Sequence, residues 1–311
     1  MSVVPPLRIK SESLNLGSGT LTLAMQCWPE AERAAQLQSL QLLTQGDHSG
    51  FLLLAGWLGE SLAGALLAQQ IPGKAATLWP AQLAEGVTDQ GIAQALLAAT
   101  EAHLAAGGAR LCQALLSQDQ EAAARQLADA GYHNPANLLY MTCEPRHFPV
   151  EAPAFPGFLL RPFQPGQEAE LAALIDETYI ETRDCPSLNG IRNTRDVVAG
   201  YQHVGEFRPE RWLILERIRE DSSHQPAGCL LLARHSAHET MELIYVGVAP
   251  AFRQQGLGRR LTQQAQWLAA QDQCERLVLA VDAANEPAIA MYSAAGFWAW
   301  EERAIWVKSL A

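Results

Sequence analysis

Two stretches of this chain repeat each other at a fixed interval, and that interval constrains the fold more than any other feature. GIAQALLAATEAHLA begins at Gly91 and GLGRRLTQQAQWLAA at Gly256, each reading as a helix opened by a glycine turn. A glycine followed by an aromatic recurs at Gly131-Tyr132 and Gly296-Phe297, and 256 − 91 and 296 − 131 both equal 165. An interval this long means duplicated domains, because solenoid units repeat every ~20–50 residues. A chain of 311 residues has room for two, since one domain ordinarily holds about 100–200. Prolines at 145, 149, 153 and 156 remove backbone donors and interrupt any helix or central strand. The boundary is therefore expected there, giving domains 1–150 and 157–311.

Hydrophobic periodicity outlines each copy. In the second, Leu257, Leu261, Ala265 and Leu268 fall on one face at 3.6 residues per turn. Apolar or alternating runs at 212–218, 228–233, 243–248 and 277–281 read as strands. Consecutive strands followed by alternation of strand and helix predict an α/β (α+β) fold. Each copy should be a mixed, mostly antiparallel sheet with helices on both faces.

Composition removes several classes of function. A net charge of −11 disfavours nucleic acid and anionic membrane as partners and favours a small cation. No apolar run reaches the ~18 residues of a membrane span, and prolines occupy the place of a signal peptide's apolar stretch; a cytoplasmic protein is expected. The six cysteines stand far apart with no C-x-x-C pair, and HETME is not H-E-x-x-H, so no metal is expected. GESLAG misses the spacing of a hydrolase nucleophile elbow, and no dinucleotide or Walker motif occurs.

One segment carries chemistry. Gly256 and Gly258 permit close backbone approach at a helix start, where free amides and the positive dipole end attract phosphate. Arg253, Arg259 and Arg260 give residues 252–260 a formal charge of +3 on an otherwise acidic chain. Arg253-Gln254-Gln255-Gly256-Leu257-Gly258, followed by Arg259 and preceded by Val248-x-Pro250, resembles the acyl-CoA motif of the GNAT superfamily of N-acetyltransferases. The tail N-x-x-A-x-x-x-Y-x-x-x-G-F from Asn285 to Phe297 extends the likeness over about half of the second domain.

The resemblance implies acetyl-CoA as cosubstrate, with Val246, Gly247 and Val248 meeting the pantetheine arm through backbone groups and Asn285 through its side chain. Asn285 also suits an N-cap ahead of Pro287. Tyr292 is the candidate general acid for the departing thiolate, and Glu242 the candidate base for an ammonium acceptor. The spacing of Glu242 to Gly247 resembles that of the tandem GNAT enzymes of the mycothiol synthase type. The acceptor end is expected in the loop 178–197, at Tyr179, Glu181 and Asp184. Cys185 lies in that loop without a histidine near in sequence, so direct transfer is expected over an acyl-cysteine. The acceptor would be a primary amine of a small molecule or peptide, and the chain a monomer whose tandem domains imitate a dimer. A CoA-binding sensor or assembly module without turnover is the alternative.

In the first copy Thr88 stands for Arg253, Leu127 for Tyr292 and Thr77 for Glu242. Gly91 and Ala93 preserve the turn, but Glu85 and Asp89 give residues 85–93 a charge of −2. A degenerate domain with a structural or acceptor-shaping role is expected.

Overall fold

A computed structural model describes residues 5–44, 50–88 and 90–310; Asp89 lies outside the described residues. The chain divides into two compact units, 1–134 with 305–311 and 135–304. The first contains β1 (Leu7–Glu12), α1 (Gly19–Ala24), α2 (Glu30–Thr44), β2 (Phe51–Leu58), β3 (Ser61–Ile71), β4 (Ala75–Leu78), β5 (Gln82–Leu83), α3 (Gln90–Ala106), β6 (Leu111–Ser117) and α4 (Glu121–Asp129). Next come β7 (His133–Cys143), β8 (Phe158–Pro162), α5 (Glu168–Tyr179), α6 (Thr194–Tyr201), β9 (Trp212–Ile218), β10 (His224–His235) and β11 (Thr240–Val248). The chain closes with α7 (Leu257–Gln271), β12 (Arg276–Asp282), α8 (Glu286–Ala294) and β13 (Trp298–Ser309).

The first unit orders its strands β1-β2-β3-β4-β6, and the second β8-β9-β10-β11-β12-β7. Among the described ladders pairing is antiparallel except at one place in each unit, where a helix crossover makes it parallel. Those parallel ladders show the duplication directly. Ala75, Ala76 and Thr77 pair with Leu111, Cys112 and Gln113, as Thr240, Met241 and Glu242 pair with Arg276, Leu277 and Val278. Every one of these positions is displaced by 165, the interval read from the glycines.

The expected boundary differs from the one observed. The proline stretch 145–156 lies inside the second unit, whereas the division falls within β7 and β13. Hydrogen bonding is the reason. Residues 138–143 of β7 pair with β12 from Leu277↔Cys143 to Asp282↔Leu138. In the first unit, Lys308 Nζ bonds Glu101 at 2.6 Å and Leu310 N–H bonds the Arg110 carbonyl at 2.9 Å. Each unit thus takes its closing strand from the other half of the sequence.

Apolar faces cover both sides of each sheet. In the second unit, α7 buries Leu257, Leu261, Ala265 and Leu268 against Met241, Leu243, Leu277 and Leu279. Each such leucine contributes roughly 1.5–3 kcal/mol. On the opposite face α5 lays Leu171, Leu174 and Ile175 near Trp212, Ile214, Cys229 and Leu231. Among the described residues no helix is long and apolar enough to cross a membrane.

Candidate active site

β11 and β12 are hydrogen-bonded neighbours only as far as Glu242↔Val278. Beyond that row they part, and a cleft of about 460 Å³ opens between Leu243–Val248 on one side and Ala280–Val281 on the other. A bulge causes the opening on the β11 side: Leu231 and Leu232 of β10 face Tyr245 and Leu243, which leaves Ile244 unpaired. Further along, Ala249 N–H bonds the Ala227 carbonyl at 2.8 Å. Alternation along an antiparallel strand then turns the N–H groups of Val246 and Val248 away from β10 and into the cleft.

The floor requires a glycine. A Cβ on Gly247 would lie 2.6 Å from Thr178 Oγ1 and 2.9 Å from the Tyr245 hydroxyl. Those two hydroxyls are bonded to each other at 2.5 Å, so making room for a Cβ would displace that bonded pair.

At the far end of β11 the chain turns through Gln254 (φ 61°) and Gly256 (φ 73°), left-handed conformations that suit glycine. The bond that starts the α7 ladder runs from Arg260 N–H to the Gly256 carbonyl at 3.1 Å. The amides of residues 254–259 have no protein acceptor among the described hydrogen bonds, the state in which a helix start receives an anion. Leu257 buries its side chain in the core, leaving its amide at the turn. Gly258 lines the cleft, and a Cβ there would press on Met291 Sδ at 3.3 Å.

The cationic side chains do not all serve this turn. Arg253 donates from Nε to the Val248 carbonyl (3.1 Å) and from Nη2 to the carbonyls of Thr178 (2.9 Å) and Ile180 (2.8 Å). It brackets the C-terminus of α5 to the turn, satisfying carbonyls a helix end leaves unpaired. Arg260 bonds the Ala154 carbonyl. Arg259 and Gln255 are exposed. The positive charge is therefore present, but two of its three carriers are held by backbone oxygens.

Tyr292 lines the cleft with 6% of its surface exposed, and its hydroxyl has no hydrogen-bond partner among the described residues. Burial, and then the nearby Asp184 carboxyl, hold the phenol above its ordinary range, so it carries its proton at neutral pH. Glu242 sits in the row where the strands part and accepts from His235 Nε2 at 2.7 Å. That bond raises the histidine's pKa against the opposing effect of its burial.

The acetyltransferase (GNAT) family model matches residues 176–297. Residues 176–297 belong to the GNAT acetyltransferase family. Curated relatives are named mycothiol acetyltransferase, and the chain is an acyltransferase. One, from Pseudarthrobacter chlorophenolicus, is 27% identical over 78% of this chain and 73% of its own length. Another, from Thermobispora bispora, is 29% identical over 85% of each chain. A GCN5-related N-acetyltransferase from Sphaerobacter thermophilus shares the fold at TM-score 0.61 and 17% identity, covering 99% of this chain and 97% of that one. A tandem GNAT protein from the clavulanic acid biosynthesis pathway shares it at TM-score 0.54 and 16% identity, with 98% and 99% covered.

Within the GNAT domain the acceptor-loop residues take different places. Tyr179, Glu181 and Asp184 all line the cleft. Asp184 does so as a clasp: its Oδ1 accepts the Asp282 amide at 3.0 Å, while Asp282 Oδ2 accepts the Cys185 amide at 2.9 Å. Loss of water at the cleft wall raises the Asp184 carboxyl's pKa above the usual carboxylate range, although its outer side stays exposed. Glu181 is exposed with φ 54°, and Tyr179 meets Tyr245 edge-on at 5.9 Å. Asn285 accepts from Ala288 N–H at 3.4 Å as the N-cap of α8 and also lines the cleft. Burial pushes the Cys185 thiol up to about 12, away from the thiolate an acyl-cysteine would need.

The first unit fills its equivalent opening from within. Ala81, the counterpart of Val246, donates its N–H to Gln126 Oε1 at 3.0 Å, and its carbonyl accepts from Gln126 Nε2 at 3.2 Å. A side-chain amide thus satisfies the groups that face the cleft at Val246. Leu127, at the place of Tyr292, is fully buried. Sequence reading passed over Gln126, because a glutamine on a helix carries no signal of its own until a strand opens beside it.

Proposed function

We propose that this chain is an N-acetyltransferase that passes the acetyl group of acetyl-CoA directly to a primary amine of a small molecule. The observation that carries the reading is the opening of β11 from β12 beyond Glu242, which joins inward-facing amides of Val246 and Val248 to the free amides of residues 254–259. The first set suits the pantetheine arm and the second a diphosphate. Gly247, Gly256, Gly258 and Asn285 shape that path, and acetyl-CoA supplies the acetyl thioester.

The acceptor reaches the cleft as an ammonium ion and must lose a proton before it attacks. Glu242 takes that proton, and His235, bonded to the same carboxylate and partly exposed, offers an exit to solvent. The amine nitrogen bonds to the thioester carbonyl carbon while cleft amides bear the developing oxyanion, an interaction worth a few kcal/mol in comparable sites. The C–S bond then breaks, the thiolate receives the Tyr292 proton, and the extra proton on the acylated nitrogen passes to the resulting tyrosinate, which leaves a neutral amide and restores Tyr292. The raised thiol pKa of Cys185 supports transfer without an acyl-cysteine. Relatives named mycothiol acetyltransferase support a small-molecule acceptor.

Release of the CoA thiol, followed with a thiol-reactive chromophore across a panel of primary amines, tests the reading. Amine-dependent release is expected, and Tyr292→Phe should lower kcat by about 100-fold with little change in KM for acetyl-CoA. Slow, amine-independent hydrolysis alone would favour a CoA-binding module instead.

A further inference from the structure

The sheet face that carries Glu242 continues past the cleft. Glu242 pairs with Val278, and Val278 pairs with Thr142, so these three side chains share one face across β11, β12 and β7. The next row on that face pairs Ala280, a cleft residue, with Tyr140. Beside them the same face holds a second cavity of about 390 Å³, lined by Thr142, Val278, Trp298 and Trp300 with Glu144, Glu275 and Arg276 at its rim. Trp298 and Trp300 are 49% and 52% exposed, an unusual cost for two large apolar rings. Trp300 is braced by Tyr140, ring centroids 5.8 Å apart at 57°, so its orientation is held.

We infer that this aromatic shelf, Tyr140, Trp298 and Trp300 around Val278, is the acceptor-binding surface and selects an amine carried on a flat apolar body, an arylalkylamine. The inference rests on the acetyl-transfer reading and adds the substrate class to it. A volume near 390 Å³ accommodates a one- or two-ring body. Electron-rich ring faces attract a cation, and Glu242 waits one strand away to receive its proton. Charge complementarity agrees: with Glu144 paired to Arg146, Glu242 and Glu275 stand against Arg276 around the shelf, an excess of one carboxylate. A sugar amine is less well matched: Glu144 already pairs with Arg146 at 3.0 Å, and the buried Thr142 leaves few convergent polar groups for hydroxyls.

The test compares tryptamine and 2-phenylethylamine with n-butylamine and glucosamine as acceptors at saturating acetyl-CoA. Arylalkylamines should exceed the other two in kcat/KM by about tenfold or more, the ratio that ~1.4 kcal/mol of stacking produces. Trp300→Ala should bring that ratio close to one, Trp300→Phe should restore most of it, and KM for acetyl-CoA should stay unchanged. Titration calorimetry with 2-phenylethylamine separates the two readings. Binding that Trp300→Ala abolishes supports the shelf even if no amine is acetylated. Equal kcat/KM across the panel, preference for glucosamine, or undisturbed arylalkylamine binding in Trp300→Ala would each overturn it. So would a change of oligomeric state in Trp300→Ala in place of a change in binding, since the rings would then be an interface.

Discussion

Arg253→Gln separates two roles that one side chain can play at an acyl-CoA turn. If the guanidinium grips the diphosphate, its loss removes a charge-assisted bond worth roughly 1.5–3 kcal/mol, raising KM for acetyl-CoA at least about tenfold. The structure gives it other work: three bonds of 2.8–3.1 Å to the carbonyls of Thr178, Ile180 and Val248. At about 1 kcal/mol each for a partly exposed donor, and with glutamine recovering one of them, the loss comes to about 2 kcal/mol. For a unit of residues 135–304 that is a fall in Tm of about 4–8 °C. Thermal melting of the whole chain, paired with KM for acetyl-CoA at low and high salt, reads both quantities. The expected result is the lower Tm, with KM within about threefold of wild type and its salt dependence intact. An unchanged Tm with a tenfold rise in KM would show that the bracket is incidental and the phosphate contact real.

Gly247→Ala should destabilise the second unit by roughly 1–3 kcal/mol, because its Cβ collides with the bonded Thr178 and Tyr245 hydroxyls; an unaltered denaturation midpoint would mean that the cleft floor yields. His235 should titrate above the ordinary histidine value of about 6.5 by NMR and move back toward it in Glu242→Gln. Because the folded pKa is the raised one, the pair's stabilisation is complete below the unfolded value and is lost as pH rises through the folded value. The stability gap between wild type and Glu242→Gln should accordingly narrow from pH 6 to pH 9, and a widening gap would contradict the assignment. Calorimetry should find one acetyl-CoA site per chain, since Gln126 already occupies the backbone groups of Ala81; two equal sites would show that the glutamine can be displaced.

Much of the architecture could be read in advance. The stripe Leu257, Leu261, Ala265 and Leu268 is buried on α7 as its spacing requires, and the four apolar runs became β9 to β12 within a few residues. These features depend on neighbours a few residues apart, the range over which periodicity informs. The domain limits were less legible. Prolines mark where a chain cannot continue a helix, yet pairing across about 135 residues decides which sheet β7 joins, and no local signal reports it.

The same division runs through the site. The positive φ at Gly256 and the free amides ahead of α7 follow from short-range sequence, because a turn and a helix start are built from adjacent residues. Partnership is another matter. That Arg253 braces α5, that Asp184 clasps Asp282, that His235 is hydrogen-bonded to Glu242 and that Gln126 fills the first unit's opening are facts of distance in space. A side chain's chemistry is given by its type, but its duty is assigned by whichever unsatisfied group the folded backbone brings within 3 Å of it.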